Sequence, residues 1–189
     1  RNHSSAASDV YKRQKYNIAW LLQKYERNDK MKYIYFWGHT NNSKAEIGHF
    51  CLSQWFELPF EFEGVVYKTA EHWMMAEKAR LFKDTEIYDK ILLSKTPAEA
   101  QALGRKVRHF KSEIWLQHRF NIVKKGNLLK FGQNEKFKKY LLQTGERILV
   151  EASPVDCIWG IGLGKDDDTI GDVRTCLLYT SDAADEWLR

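Results

Sequence analysis

The sequence predicts an α+β fold, a single helix-rich domain with a small sheet. Short aromatic and β-branched runs occur early in the chain and again near residue 150, and helical patterns fill most of the stretch between them. Strands and helices do not alternate as they do in doubly wound proteins, which favours the α+β class. With 189 residues, 43% of them hydrophobic, the chain has the size and composition of one ordinary domain.

The predicted strands lie at the two ends of this domain. Residues 32–37 form an aromatic and β-branched run that ends at Gly38. Residues 60–67 alternate on either side of Glu63 and Gly64, which is the composition of a tight hairpin. A late strand is expected over residues 147–153, before a proline stops it.

Four predicted helices have recognisable start or stop signals. A threonine or serine can cap the first three, and a glycine closes the fourth. The second also has proline in its first helical position, followed by a glutamate. The signals are Thr69 before a helix to about Phe82, Thr96 with Pro97 and Glu99 before the next, Ser112 before a helix through Trp115, and Gly145 after residues 135–143.

The two ends of the chain resemble translated sequencing-adapter sequence. Residues 1–14 and 175–189 show neither helical nor alternating periodicity. We therefore expect a non-native leader, a domain over residues 15–174 that is truncated at its C-terminus, and a non-native tail. Removing both ends takes away equal numbers of basic and acidic residues, so the net charge of +5 is unchanged.

Composition argues against several classes of protein. No stretch approaches the roughly 18 to 20 apolar residues of a membrane span, and no signal peptide is recognisable, so we expect a cytoplasmic protein with no membrane partner. Its three cysteines are expected to be reduced. Basic residues are spread among acidic ones, which is a weak indication of nucleic-acid binding. The aromatic content of 14% indicates either a ring-rich core or a stacked planar ligand.

The first predicted helix carries a candidate catalytic pair. On a helical wheel Glu71 and Lys78 share an arc with the apolar side chains of Met74, Met75, Leu81 and Phe82. The two charged residues are two turns apart, about 10 Å in rise, which leaves room for a ligand group. Burying a charge is costly unless it is paired or used, so the pair suggests a functional site. Alternatively, both side chains extend to the rim of the stripe and meet surface partners.

Residues 151–164 form a second candidate. They combine two carboxylates, Glu151 and Asp156, with the indole of Trp159 and three alternating glycines that begin at Gly160. Glycines let the backbone approach a ligand closely and can present N–H groups to a phosphate. The spacing matches neither a Walker loop nor a dinucleotide fingerprint, so an ordinary surface turn is the alternative.

A third candidate joins two separate segments. Ser53 and Gln54 place hydrogen-bonding side chains next to Trp55, and Arg105 supplies a fork-shaped anion ligand. The alternatives are a loop that packs on the core and a solvated helix cation. The histidines show no metal-ligand spacing, so we predict no metal site and no cofactor.

Together these segments resemble the NADAR (YbiA-like) family. The resemblance is colinear from about residue 16 to residue 164. It implies a helix-rich α+β fold and an N-glycosidase that acts on the bond between ribose 5-phosphate and the amine of riboflavin-pathway pyrimidines, or between ADP-ribose and guanine. The matching segments are residues 36–39 (FWGH), 52–55 (LSQW), 67–79 (YKTAEHWMMAEKA), 102–107 (ALGRKV), 115 (W), 126–131 (GNLLKF) and 151–160 (EASPVDCIWG).

The resemblance also implies roles for individual residues. Glu71 would face the cationic sugar or activate water, and Asp156 would bind ribose hydroxyls or act as a second acid or base. The remaining members would hold the phosphate, stack on the base or contact the sugar. They are Ser53, Gln54, Lys78, Arg105, Trp115, Glu151, Trp159 and Gly160.

One departure from the family pattern concerns the end of the chain. Family members continue into a second Trp-x-Gly-x-Asn-x-Leu-Gly stretch and a closing helix, whereas here residues 168–174 run into the adapter-like tail. One wall of the pocket is therefore in question. Two other functions stay open: a non-catalytic module that binds ADP-ribose or a nucleotide, and a nucleic-acid-binding module, with ADP-ribosylated nucleic acid as a conceivable partner.

Overall fold

The computed structural model describes residues 18–40, 46–156 and 158–175, and these form two compact units. One unit lies before residue 39 and after residue 143, and the other is His39–Gln143. Their helices and strands confirm the α+β class. In chain order they are α1 Ile18–Glu26, β1 Tyr33–Phe36, β2 Phe60–Phe62, β3 Val65–Tyr67, α2 Ala70–Leu81, α3 Thr85–Leu93, α4 Pro97–Gly104, α5 Ser112–Gly132, α6 Glu135–Gln143 and β4 Ile148–Glu151.

The first unit is built on a parallel pair of strands. β1 pairs with β4 in a register that runs from Tyr33 opposite Ile148 to Phe36 opposite Glu151. Both strands are predicted, each slightly longer than observed. Helix α1 is not predicted from the sequence, because its described turns have no acidic residue at the start and no glycine or proline to mark an end.

The predicted hairpin in the second unit is confirmed. β2 and β3 pair antiparallel, with Phe60 opposite Tyr67. The two turn residues both have positive φ, 52° at Glu63 and 78° at Gly64. A two-residue turn of this kind matches the right-handed twist of the strands that it joins.

Helix α2 lies at the centre of the second unit. Thr69 caps it, as predicted, by accepting a hydrogen bond from the backbone N–H of His72 at 3.2 Å. The prediction of a single apolar stripe is wrong, because nine of the twelve residues are buried. The helix packs against β3 and three other helices, α3, α4 and α5, so it has almost no solvent face.

The aromatic residues around α2 form a ring-rich core. The rings of Phe60, Phe62 and Tyr67 pack around the indole of Trp73 with centroids 5.0 to 6.2 Å away. The indole N–H of Trp73 donates to the backbone oxygen of Ile122 on α5 at 2.8 Å. Part of the high aromatic content therefore serves packing.

Helix α3 is another element that the sequence analysis does not predict. Asp84 caps it by accepting a hydrogen bond from the backbone N–H of Ile87. The same carboxylate accepts hydrogen bonds from the side chain and backbone of Arg108, which hold the pKa of Asp84 well below its usual range. The aspartate before Thr85 is a start signal that hydrophobic periodicity alone passes over.

Of two further predicted helix caps, one is confirmed and the other is wrong. Thr96 caps α4 as predicted, Pro97 occupies the first turn, and Glu99 bonds back to the N–H of Lys95 at 2.7 Å. The predicted cap at Ser112 is wrong. Ser112 is already the first residue of α5, and Lys111 precedes it without a side-chain cap.

Two further expectations concern the reduced state of the cysteines and the absence of a membrane span. Cys51 is a free, buried thiol, as predicted, and burial raises its pKa to about 11. Cys157 and Cys176 lie outside the described residues. None of the helices that the structure describes is long and apolar enough to cross a membrane.

Candidate functional site

The carboxylate of Glu71 is held in the first turn of α2. Its residue is only 3% exposed, and its backbone N–H donates to the carbonyl oxygen of Gln54 at 3.0 Å. The N-terminal end of a helix favours an ionised carboxylate because the unpaired N–H groups there carry partial positive charge. The fold thus brings the loop with Ser53 and Gln54 against the start of the helix that carries Glu71.

Lys78 lies on the same helix, two turns further along. Its half-buried ammonium is 4.4 Å from the ring centroid of Phe110 and 5.6 Å from that of Trp115. Burial lowers the pKa of Lys78, the neighbouring charge of Arg105 lowers it further, and Glu71 opposes both effects. These interactions place the predicted pair in one electrostatic environment, together with Arg105 and Trp115.

Arg105 stands at the C-terminal end of α4. Its guanidinium is exposed and donates to Oε1 of Gln101 at 3.1 Å. Gly104, just before it, has to be a glycine because a Cβ there would overlap the side chain of Met75 on α2. This close approach keeps Arg105 beside the helix that carries Glu71 and Lys78. We call the following five side chains the Glu71 cluster: Glu71, Lys78, Arg105, Phe110 and Trp115.

A buried lysine supports the loop that carries Ser53. Lys130 on α5 has no exposed surface, and its Nζ donates to the backbone oxygens of Cys51 and Ser53 at 2.8 Å each. Burial lowers the pKa of Lys130 to about 8. Because either protonation state keeps at least two N–H donors, the loop can be held in both.

An amide pair makes a second connection between this loop and α5. The side chain of Gln54 donates to Oδ1 of Asn127 at 3.1 Å, and Asn127 donates back to Oε1 of Gln54 at 3.3 Å. The hydroxyl of Ser53, which is 7% exposed, accepts from the backbone N–H of Trp55. Both predicted polar residues therefore have defined positions.

The other unit contains the second group of predicted site residues. Burial and, to a lesser extent, the charge of Asp156 raise the pKa of Glu151 to about 7. The carboxylate of Asp156 accepts from the backbone N–H groups of Ile158 at 2.7 Å and Trp159 at 3.0 Å. Gly160 has to be a glycine, since a Cβ there would meet the backbone oxygen of Asp156 at 2.7 Å.

The segment after β4 turns back toward the end of that strand. The N–H of Ile161 donates to the backbone oxygen of Glu151 at 3.0 Å, so the segment after β4 folds back on the strand end. Gly160 and the carboxylate of Asp156 therefore have defined positions. The segment is a hydrogen-bonded turn, and a role of these residues in ligand binding stays a prediction.

The structure thus arranges the ten predicted residues in two places. Glu71, Lys78, Arg105 and Trp115 come together, and the loop with Ser53 and Gln54 adjoins Glu71 through the backbone. Glu151, Asp156, Trp159 and Gly160 belong to the other unit. Their roles in binding or catalysis stay predictions.

Three residues of the site region escape the sequence analysis. Phe110 lies between two predicted helices, where an aromatic residue by itself does not indicate a function. Asn127 and Lys130 lie in a segment that resembles the family, but the resemblance implies no role for either residue. A lysine flanked by leucine and phenylalanine on a helix is the one pattern that could have marked Lys130 as buried. Across the described ranges, no group of three or more His, Cys, Asp or Glu side chains could hold a metal ion.

Comparison with known proteins identifies relatives of this chain. The model of the NADAR domain matches residues 35–176. "N-glycosidase R617" of Acanthamoeba polyphaga mimivirus is 44% identical over 137 residues, which cover 70% of this chain and 79% of that protein. "Riboflavin biosynthesis protein VVA0006" of Vibrio vulnificus (strain YJ016) is 28% identical over 129 residues, 68% of this chain and 33% of that protein.

A solved structure has the same fold. The NMR structure of the E. coli protein YbiA superimposes with a TM-score of 0.58 at 20% identity, and the match covers 84% of this chain and 88% of that one. At this identity the likeness concerns the fold. It agrees with the helix-rich α+β architecture described above.

Proposed function

Because this chain belongs to the NADAR domain family, we propose that it is an N-glycosidase, a hydrolase that replaces the nitrogen on the anomeric carbon of a ribose by water. The name of the mimivirus relative supports this activity. The observation that carries the proposal is the buried residue Glu71 on the same helix as Lys78, whose ammonium interacts with the charges of both Glu71 and Arg105.

The reaction gives Glu71 a defined task. As the bond from the anomeric carbon to nitrogen breaks, positive charge develops on that carbon and on the ring oxygen, and the electron pair leaves with the nitrogen. A carboxylate that faces this charge stabilises the transition state more than the ground state. Glu71 either does so directly or takes a proton from the attacking water.

The cations of the Glu71 cluster suit the phosphate of a phosphorylated sugar. Arg105 presents a planar fork of N–H donors, and Lys78 presents a compact charge over the rings of Phe110 and Trp115. The indole of Trp115 offers a flat apolar face, so it can stack on a base. Ser53 and Gln54 would contribute hydrogen bonds from the loop next to Glu71.

The first unit, which contains β4, contributes a further set of groups to the proposal. Asp156 would bind ribose hydroxyls or serve as a second acid or base, while Glu151, Trp159 and Gly160 would contact the substrate. A carboxyl group whose pKa is near 7, as at Glu151, can exchange a proton close to neutral pH. We propose a cytoplasmic location for the reaction.

Two substrates fit the proposed chemistry. One is a riboflavin-pathway pyrimidine linked through its amine to ribose 5-phosphate, which the name of the Vibrio relative supports. The other is guanine linked to ADP-ribose, either free or within a nucleic acid. Both present a phosphorylated ribose, an anomeric C–N bond and a planar base.

The experiment that tests the function detects the sugar released from either substrate. The full chain is incubated with each substrate in water enriched in oxygen-18, and mass spectrometry follows ribose 5-phosphate or ADP-ribose. Hydrolysis is expected to place the heavy oxygen on the anomeric carbon of one of them. Binding without cleavage of either substrate would instead favour a non-catalytic nucleotide-binding module.

A further inference from the structure

A cavity in the His39–Gln143 unit lies beside the N-terminal ends of α2 and α4. Its volume is about 390 Å³, which is within the range of roughly 300 to 1,000 Å³ typical of small-molecule sites. None of the side chains of the Glu71 cluster lines it. The described residues that do so are His39, Thr40, Trp55, Phe56, Glu57, Lys68, Thr69, Lys95, Thr96 and Pro97.

Two lysines supply positive charge to this cavity. Each directly precedes the threonine that caps a helix, Lys68 before Thr69 and Lys95 before Thr96. The ammonium of Lys68 donates to the backbone oxygen of Ser94 at 2.6 Å, which fixes its position and leaves two of its three N–H donors for a ligand. Lys95 is exposed and can move toward the same ligand.

The other walls suit a planar group with hydroxyls. The rings of His39 and Trp55 lie 5.6 Å apart at an angle of 49°, and the ring of Phe56 lines the cavity beside them. Glu57 adds an exposed carboxylate. An acidic side chain beside a nucleotide pocket commonly accepts hydrogen bonds from ribose hydroxyls.

The cavity combines features that a packing defect would not need. Two cations, a carboxylate and an indole line a space large enough for a small ligand, and the lining residues come from four separate segments of the chain. A phosphate requires cations or N–H donors, whereas a base requires a ring or an apolar face. Both are present within one cavity.

We propose that this cavity is a mononucleotide-binding site, separate from the Glu71 cluster. Lys68 and Lys95 bind the phosphate, Trp55 packs against the base and Glu57 accepts hydrogen bonds from the sugar. Occupation of this site does not require glycosidase activity. The site would bind a nucleotide even if the proposed reaction were wrong.

Calorimetric titration of the full chain tests the site with adenosine 5′-monophosphate as the probe. Adenosine and inorganic phosphate are titrated in parallel, and each is expected to bind about tenfold more weakly than the nucleotide, since each lacks one half of the recognition. The titration is repeated with Glu71→Gln, so that hydrolysis of the probe cannot contribute heat. Binding in that variant is expected to match the unchanged protein.

Substitutions then locate the bound nucleotide. Lys95→Gln, a surface change that leaves the core intact, is expected to weaken binding about fivefold, and Trp55→Leu by a similar factor. Lys90→Gln, an exposed helix lysine outside the cavity, is the matched control and should bind as before. Circular dichroism verifies that each variant is folded.

Three results would overturn the proposal. The first is no binding of the nucleotide at millimolar concentration. The second is equal binding by Lys95→Gln and Lys90→Gln. The third is that Arg105→Gln loses binding whereas Lys95→Gln binds as tightly as the unchanged protein, which would place the nucleotide at the Glu71 cluster.

Discussion

The backbone N–H of Glu71 donates a hydrogen bond to the carbonyl oxygen of Gln54 at 3.0 Å. One of the first N–H groups of α2 is therefore satisfied by a loop, and that loop is itself held by Lys130 from α5. The position of the carboxylate that we propose as catalytic thus depends on a contact between three elements distant in sequence.

Replacing the central carboxylate should abolish most of the activity. Glu71→Gln keeps the size of the side chain and removes its charge, so the developing cation loses its electrostatic partner. We expect kcat to fall at least about a hundredfold on either substrate. Product release measured by mass spectrometry gives the rate.

The matched control is Glu113→Gln, an exposed glutamate in the first turn of α5. It should retain the rate of the unchanged protein. If folded Glu71→Gln cleaves substrate as fast as Glu113→Gln, Glu71 has no central role.

Removing the buried lysine should loosen the loop that adjoins Glu71. In Lys130→Met the backbone oxygens of Cys51 and Ser53 lose their donor, which should cost about 2 kcal/mol of the free energy of unfolding. Urea denaturation measures this loss. Hydrogen exchange should also be faster at the backbone N–H of Glu71.

Lys124→Met on the exposed face of the same helix is the control for side-chain length. It should change neither quantity by a measurable amount. Unaltered exchange at Glu71 in Lys130→Met would show that Lys130 does not position the loop.

Replacing Lys78 should weaken substrate binding more than it slows the chemical step. Lys78→Gln removes one charge from the proposed phosphate site, so we expect KM to rise about tenfold while kcat changes less. Steady-state kinetics with the phosphorylated substrate separates the two. Lys106→Gln, an exposed neighbour of Arg105, serves as the control, and a lower kcat at constant KM in Lys78→Gln would contradict phosphate binding.

Glu151 should make the stability depend on pH. Its pKa is raised from an ordinary value of about 4.5 to about 7, mainly by burial, so the folded protein binds more protons than the unfolded chain between these values. Stability therefore falls as pH rises through that window. Glu151→Gln has no proton to lose and should be more stable than the unchanged protein by roughly 3 kcal/mol at pH 8.

The difference should vanish near pH 4, where Glu151 is protonated in both states. Urea denaturation at the two pH values measures it, with the exposed Glu146→Gln as control. A difference that persists at pH 4 would mean that packing, and not charge, is responsible.

Two glycines of α5 should respond in opposite directions to alanine. A Cβ at Gly126 would overlap the indole of Trp73, so Gly126→Ala should destabilise the protein by about 1–3 kcal/mol. Gly132 has open space around its Cα, and Gly132→Ala should be neutral or stabilise by up to about 1 kcal/mol. Thermal unfolding compares them, and an undisturbed melting temperature in Gly126→Ala would show that the indole can move aside.

The features that the sequence predicts well are those with a local cause. The hairpin follows from alternating residues on either side of Glu63 and Gly64, and the caps at Thr69 and Thr96 follow from hydroxyls before helical runs. The family resemblance is confirmed by the match of the NADAR domain. These features need no knowledge of the tertiary structure.

The features that it misses depend on distant partners. A wheel assigns α2 one buried stripe, but helices from the next fifty residues cover the remaining faces. Lys130 looks like a surface residue until the carbonyl groups of residues 51 and 53 are placed beside it. The buried carboxylate of Asp84 likewise has its charged partner, Arg108, twenty-four positions later.

The parallel pairing of β1 with β4 has a consequence for the time at which this chain can fold. Tyr33 meets Ile148, a residue 115 positions later. At a synthesis rate of roughly 5–20 residues per second, the ribosome therefore exposes β1 for several seconds before its partner strand exists. During translation the His39–Gln143 unit can gather its helices first, whereas the strand pair must wait for the last quarter of the sequence.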